Sequence, residues 1–190
     1  MDHDVEILIF NGASSAGKTT LCKAVQSLMP QPYMHFEEDR VVFDTYAERF
    51  LVGEQAAQIF TKTMLGYYRS LAAFLSAGHC VLADTGFYRR DLVAACLREL
   101  QPYRVWLIGV HCRLDELEHR EQQRVDRQPG LAREQYQTIH AHMRYDIEVD
   151  TSEQSVQDCA THIVREWQRQ GSPRAIEIVR ATLAGLENTP

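Results

Sequence analysis

Short apolar runs alternate with longer segments of helical period along the whole chain. Compact runs of apolar and β-branched residues predict strands at 6–10, 33–36, 80–83, 105–110 and 147–150. The run at 105–110 is almost continuously apolar, as expected at the centre of a parallel sheet. Between the strands lie helical patterns. One follows Gly17 and stops near Met29, before Pro30-Gln31-Pro32. A second spans 55–77, with Ile59, Met64, Tyr67, Leu71, Phe74 and Leu75 near helical spacing, and Gly78 ends it. A third covers 89–100, with Leu92, Val93, Cys96, Leu97 and Leu100 on one face. A strongly charged helix at 114–127 breaks at Gln128-Pro129-Gly130 and is followed by one at about 132–143. Thr151 or Ser152 caps a helix running to about Gln170. Beyond Gly171-Ser172-Pro173, apolar residues at 176, 179, 183 and 186 predict a last amphipathic helix.

Strand–helix alternation of this kind specifies an α/β fold: five parallel strands with helices on both faces, in three layers. The expected organisation is one domain over 1–170, with a lid at about 113–131 and a helical extension at 171–190 packed on the same domain. The extension covers the sheet edge or mediates a homodimer. The 190 residues are 45% hydrophobic and 24% charged, enough for a full core. A net charge of -6 excludes binding of nucleic acid by broad phosphate neutralisation. No apolar run is long enough to span a membrane. The acidic start Met1-Asp2-His3-Asp4 runs straight into the first strand and lacks a signal-peptide pattern, so a cytoplasmic location is expected. The five cysteines are widely spaced with no C-x-x-C pair, so reduced, mostly buried thiols are expected rather than metal ligands.

The most informative segment joins the first strand to its helix. Gly12-Ala13-Ser14-Ser15-Ala16-Gly17-Lys18-Thr19 matches the phosphate-binding pattern G-x-x-x-x-G-K-[ST], and Thr20 continues it into the helix. Glycines let the backbone turn tightly against an anion, and successive N–H groups then point at phosphate oxygens. Lys18 can reach the β- and γ-phosphates of ATP, and the Thr19 hydroxyl is placed to ligate Mg²⁺. Asp84 ends the third strand, where a second carboxylate near the metal is expected. Glu37, Glu38 and Asp39 end the second strand, which is expected beside the first. One of them should accept the proton of an acceptor hydroxyl, with Asp39 favoured. Arg120, Arg124 and Arg127, spaced by four and three, form a stripe suited to a lid that stabilises a transferring phosphoryl group. Glu116, Glu121 and Asp126 could equally pair with them as surface ions. Tyr46, Phe60, Tyr67, Tyr68 and Phe87 either wall an acceptor pocket or pack in the core. His140 and His142 are expected on the surface or in packing.

With these residues in view, the chain resembles the chloramphenicol phosphotransferase family of small P-loop kinases. The resemblance runs to about Thr151 and rests on Phe10-Asn11-Gly12, the phosphate loop, Phe36 before Asp39, Asp84, Ile108-Gly109-Val110-His111-Cys112, Arg120-Glu121, Arg124, Asp126-Arg127 and Tyr145-Asp146-Ile147-Glu148-Val149-Asp150-Thr151. It implies a P-loop kinase fold with an Arg-rich lid, ATP and Mg²⁺ as cofactors, Asp39 as catalytic base, and Arg124 and Arg127 as lid arginines. It also implies phosphorylation of a hydroxyl on a small molecule, an antibiotic among the candidates. A metabolite or nucleotide kinase like shikimate or adenylate kinase is the alternative, and a non-catalytic nucleotide switch is the rival from another class. Around Glu37-Glu38 and through 41–77 the sequence departs from the family, and the extra negative charge there favours a cationic or polyhydroxyl acceptor.

Overall fold

The structure, a computed structural model, describes residues 5–44, 46, 52–53, 55–124 and 130–187. Its elements run β1(Glu6–Asn11), α1(Lys18–Leu28), β2(Tyr33–Glu37), α2(Glu38–Phe43), α3(Ala56–Ser76), β3(Cys80–Thr85), α4(Arg90–Glu99), β4(Arg104–His111), α5(Leu114–Gln122), α6(Leu131–Tyr136), β5(Ile147–Asp150), α7(Val156–Gln170) and α8(Ala175–Glu187). All five strands are parallel, in the order β2-β3-β1-β4-β5. The expected adjacency of the second strand to the first is therefore wrong: β3 lies between them. A hydrophobic pattern fixes which residues form a strand and leaves open which strand is its neighbour.

The pleat of β1 divides the core. Ile7 and Ile9 face a cluster built from α3, α4 and α8, whereas Leu8 and Phe10 face one built from α1 and α7. These are the three layers expected of strands buried on both faces. The five cysteines are all buried free thiols. Among the described residues no helix is long and apolar enough to cross a membrane.

Four elements differ from expectation, the first being α7, which is capped by Ser155 accepting the Asp158 N–H rather than by Thr151 or Ser152. The acidic turn at the end of β2 is a short helix, α2, which carries Asp39 in its first turn. The helix expected at 132–143 ends at Tyr136 and continues as turns. There the Ile139 carbonyl accepts the Asn11 side-chain amide at 2.9 Å, and the Met143 N–H goes to His140 O instead. α5 ends at Gln122, short of Arg124, and residues 125–129 lie outside the described residues. The tail helix α8 buries Ile176, Val179 and Leu183 in the α3–α4 cluster and packs on α4 and β4, over a face of the sheet rather than along an edge.

Candidate active site

The phosphate loop connects the carboxyl end of the central strand β1 to α1, at the end of a parallel sheet where ligands bind. Its two glycines are required. A Cβ on Gly12 would lie 2.4 Å from the Val110 carbonyl oxygen, and Gly17 has φ 83°. Ser15 also adopts a positive φ, 65°, an unusual conformation for a residue with a side chain. Ala13 and Ala16 anchor the loop in the core. Ser14, Ser15, Gly17, Lys18, Thr19 and Thr20 open onto a cavity of about 380 Å³.

That cavity gathers most of the residues expected at a phosphoryl-transfer site. Glu38, Asp39, Asp84, Arg120 and Arg124 line it together with the loop. Arg127 lies outside the described residues. Lys18 Nζ folds toward the loop and donates to the carbonyls of Gly12 and Ala13 at 2.8 and 3.0 Å. Arg120 is held in place: it donates to Glu116 at 2.7 Å and to the Thr151 carbonyl at 2.8 Å. The Thr151 hydroxyl in turn donates to the Ala16 carbonyl at 2.9 Å, which ties β5 and α5 to the loop.

The three acidic residues after β2 have three different fates. Glu37 pairs at the surface with Lys23 and Arg40, at 3.1 and 3.0 Å. Glu38 is buried and accepts from the Thr85 hydroxyl and the Gly86 N–H. Burial pushes its acidity constant above the usual glutamate range, against the hydrogen bonds from Thr85 and Gly86. Asp39 faces the cavity, half-buried, from the first turn of α2.

Asp84 is buried at the end of β3, and His35 Nε2 lies 3.3 Å from its Oδ2. Burial raises its acidity constant, but hydrogen bonds from His35 and Thr19 and the Lys18 charge outweigh that, leaving it below the usual aspartate range. An ionised Asp84 beside the Thr19 hydroxyl, both on the cavity wall, is a donor set of oxygens that suits Mg²⁺. The buried hydroxyls of Ser14 and Ser15 have no hydrogen-bond partner among the described residues, which fits a loop built to receive phosphate oxygens. Cys22, His35 and Asp84 also place ligand atoms within 4.8 Å of one another. Burial pushes the Cys22 thiol well above its ordinary range, so the His35–Asp84 hydrogen bond is the working contact of this group.

Several contributors were not anticipated. His35 shares a face of β2 with Glu37 and reaches diagonally to Asp84 on β3, a neighbour that strand order alone reveals. Gln135 accepts the Ser14 N–H at 2.7 Å from 121 residues away. Asn11, just before the loop, donates to the Ile139 carbonyl and the Tyr145 hydroxyl and accepts the Phe87 N–H. The Tyr145 hydroxyl lies 2.6 Å from His140 Nδ1. Burial, then the charges of His111 and Lys18, lower the His140 value to about 4, so its ring is neutral and this nitrogen can accept. The aromatics proposed for the pocket wall are elsewhere: Tyr67, Tyr68 and Phe87 are in the core, Phe60 packs against it, and Tyr46 is exposed. Tyr88 lines the cavity instead.

The sequence pattern described as chloramphenicol phosphotransferase-like protein matches residues 5–168. The chain belongs to this family. Among its relatives is a Mycobacterium tuberculosis (strain H37Rv) protein provisionally named an O-phosphotransferase, 29% identical over 197 residues, covering 92% of this chain and 88% of that one. The fold is shared with Mycobacterium tuberculosis APS kinase CysC, solved with AMPPNP and APS, at TM-score 0.67 and 12% identity over 87% of this chain and 98% of that one. It is also shared with Acinetobacter baumannii shikimate kinase, solved with shikimate, at TM-score 0.64 and 13% identity over 87% and 94%. The family is thus that of chloramphenicol phosphotransferase-like proteins, and the fold is that of P-loop kinases.

Proposed function

We propose that the protein is an ATP-dependent O-phosphotransferase that phosphorylates a hydroxyl of a polar, polyhydroxyl or cationic small molecule, a metabolite kinase in type. The observation that carries this is the convergence of a phosphate loop, three further carboxylates and two arginines on one cavity. The resemblance to metabolite kinases such as shikimate and APS kinase supports the fold-level half. The acceptor half rests on Glu38 and Asp39, which give that wall negative charge and hydrogen-bonding capacity where an apolar aromatic acceptor would need greasy surface. An antibiotic hydroxyl remains the second reading, drawn from the family's name.

In this reading the loop N–H groups and Lys18 hold the β- and γ-phosphates. Thr19 and Asp84 hold Mg²⁺, which when bound neutralises charge on the phosphates. Asp39 orients the acceptor hydroxyl and takes its proton as the oxygen attacks the γ-phosphorus, while the bond from that phosphorus to the β,γ-bridging oxygen breaks and ADP leaves. Arg120 and Arg124, with Arg127 from the lid, stabilise the negative charge on the phosphoryl group in transit. His35 keeps Asp84 aimed and ionised.

The test pairs a screen with one substitution. Sugars, polyols, amino sugars and hydroxylated antibiotics are incubated with ATP and Mg²⁺ and assayed for a mass gain of one phosphate. Asp39→Asn should leave ATP affinity within about two-fold and slow transfer to the identified acceptor by roughly a hundred-fold or more. Near wild-type transfer by this variant would remove Asp39 as the base. ATP hydrolysis that no hydroxyl compound accelerates would favour a nucleotide switch.

A further inference from the structure

Among the described residues, the side-chain amide of Gln135 is engaged at one end only. Its Oε1 accepts the Ser14 backbone N–H at 2.7 Å. A donor N–H can pair only with the oxygen of an amide, so this contact fixes the orientation of the group. The Nε2 donors then lie on the other limb of the amide, and Gln135 forms part of the cavity wall with Lys18 and Asp39.

The segment carrying Gln135 bridges the two halves of the site. On one side Gln135 meets the phosphate loop. Four residues on, the Ile139 carbonyl accepts from Asn11, whose Oδ1 takes the Phe87 N–H at 2.8 Å. Gly86, the residue before, gives its N–H to Glu38 on the acceptor wall at 3.1 Å. The segment that carries Gln135 is therefore tied both to the phosphate loop and, through Asn11, to the β3 exit beside the acceptor wall.

We propose that Gln135 contacts the terminal phosphoryl group, with Nε2 donating to one of its oxygens while Oε1 keeps the first turn of the loop in place. The inference rests on the phosphotransferase reading above. It assigns a neutral donor at a position where the lid and loop supply cations. A neutral amide can grip the γ-phosphate without adding an attraction that would also hold the product nucleotide.

Calorimetric titration with Mg²⁺ plus the β,γ-imido analogue of ATP, and separately with Mg²⁺ plus ADP, tests this. Wild type, Gln135→Ala and Gln135→Glu are compared, with melting temperatures as a folding control. Gln135→Glu keeps an oxygen for the Ser14 N–H and replaces the donors with a negative oxygen. Gln135→Ala should weaken the imido analogue about ten-fold, as expected for losing a hydrogen bond to a charged group, and Gln135→Glu should weaken it more. ADP affinity should stay within about two-fold in both. Equal losses for the two nucleotides would make Gln135 a mere scaffold and overturn the proposal, and so would no change in either. Tighter binding of the imido analogue by Gln135→Ala would overturn it too, because the amide would then be blocking the loop. A wild-type protein that binds neither nucleotide would instead overturn the phosphotransferase reading, and the inference with it.

Discussion

Glu38 and Asp84 are buried carboxylates on the same cavity wall, yet their surroundings move their acidities in opposite directions. For Asp84, partners decide: an imidazole, a hydroxyl and a lysine charge outweigh desolvation. For Glu38, desolvation decides: it outweighs the Thr85 hydroxyl, the Gly86 N–H and the Lys18 charge. The sign of the consequence follows from proton linkage. A carboxyl group whose folded-state value is raised binds more protons folded than unfolded over the interval between the two values. Its contribution to stability is full below the unfolded value and is lost as pH rises through the folded one. Glu38→Gln removes that titration while keeping an acceptor for Gly86. The melting temperature of wild type relative to Glu38→Gln should therefore fall with rising pH, from about pH 4 upward, and then level off. A constant difference across roughly pH 4–8 would show that Glu38 ionises at no cost. Neither behaviour is visible in the acidic string Glu37-Glu38-Asp39, where three similar residues take up a surface ion pair, a buried hydrogen-bond acceptor and a cavity-facing group.

Among the elements, the junction of α5 and α6 shows best how one side chain fixes where the next element begins. Glu121, near the end of α5, is buried and places one oxygen on the Gly130 N–H and the other on the Ala132 N–H, both at 2.8 Å. These groups begin α6, so Glu121 ties the end of α5 to the start of α6 and caps that helix. In the sequence Glu121 was a candidate surface partner for the arginines, and that role is not the one it takes. Glu121→Ala leaves two N–H groups without their acceptor, at about 1–3 kcal/mol each where they stay buried. A loss of roughly 2–4 kcal/mol in denaturant unfolding is expected. Glu121→Gln retains one oxygen and should lose about half as much. Equal losses in the two variants would mean that charge matters here and two-point geometry does not. What was legible beforehand follows from how local each signal is. The phosphate loop, seven of the eight described helices and all five strands declare themselves within a few neighbouring residues, although α5 and α6 end earlier than the pattern predicts. His35, Gln135 and Asn11 act on partners 49, 121 and 128 residues away, and no local pattern encodes those meetings. The short helix α2 escaped for the opposite reason: six residues that begin with two acids look like a turn until Val42 is seen in the core.

For the whole molecule, the tail is the part whose purpose the sequence left open, and the packing supplies a structural one. Asp146, within the string that carries the family resemblance, accepts the N–H groups of Leu107, Arg174 and Ala175, at 2.9, 2.6 and 2.9 Å. One carboxylate thus fastens the start of α8 to the central sheet. From there Ile176, Val179 and Leu183 complete the cluster beneath α3 and α4, and Arg180 reaches the Leu97 carbonyl of α4 at 3.1 Å. Burying three aliphatic side chains is worth roughly 5–9 kcal/mol at 1.5–3 each. A domain of this kind has a total stability of only about 5–15 kcal/mol. Removal of the tail should therefore cost most of the fold, even though α8 contributes nothing to the cavity wall. A chain ending at Gly171 is expected to show no cooperative thermal transition, with near-ultraviolet circular dichroism largely lost. The substitution Val179→Asp, which buries one carboxylate at a fully enclosed position, should lower stability by at least about 3 kcal/mol. If the shortened chain melted like the full one, the tail would be an appendage, and its apolar face would be available to a second copy of the protein. The burial of Ile176, Val179 and Leu183 within one chain argues for the first outcome, because the residues that such a partner would need are already spent on the core.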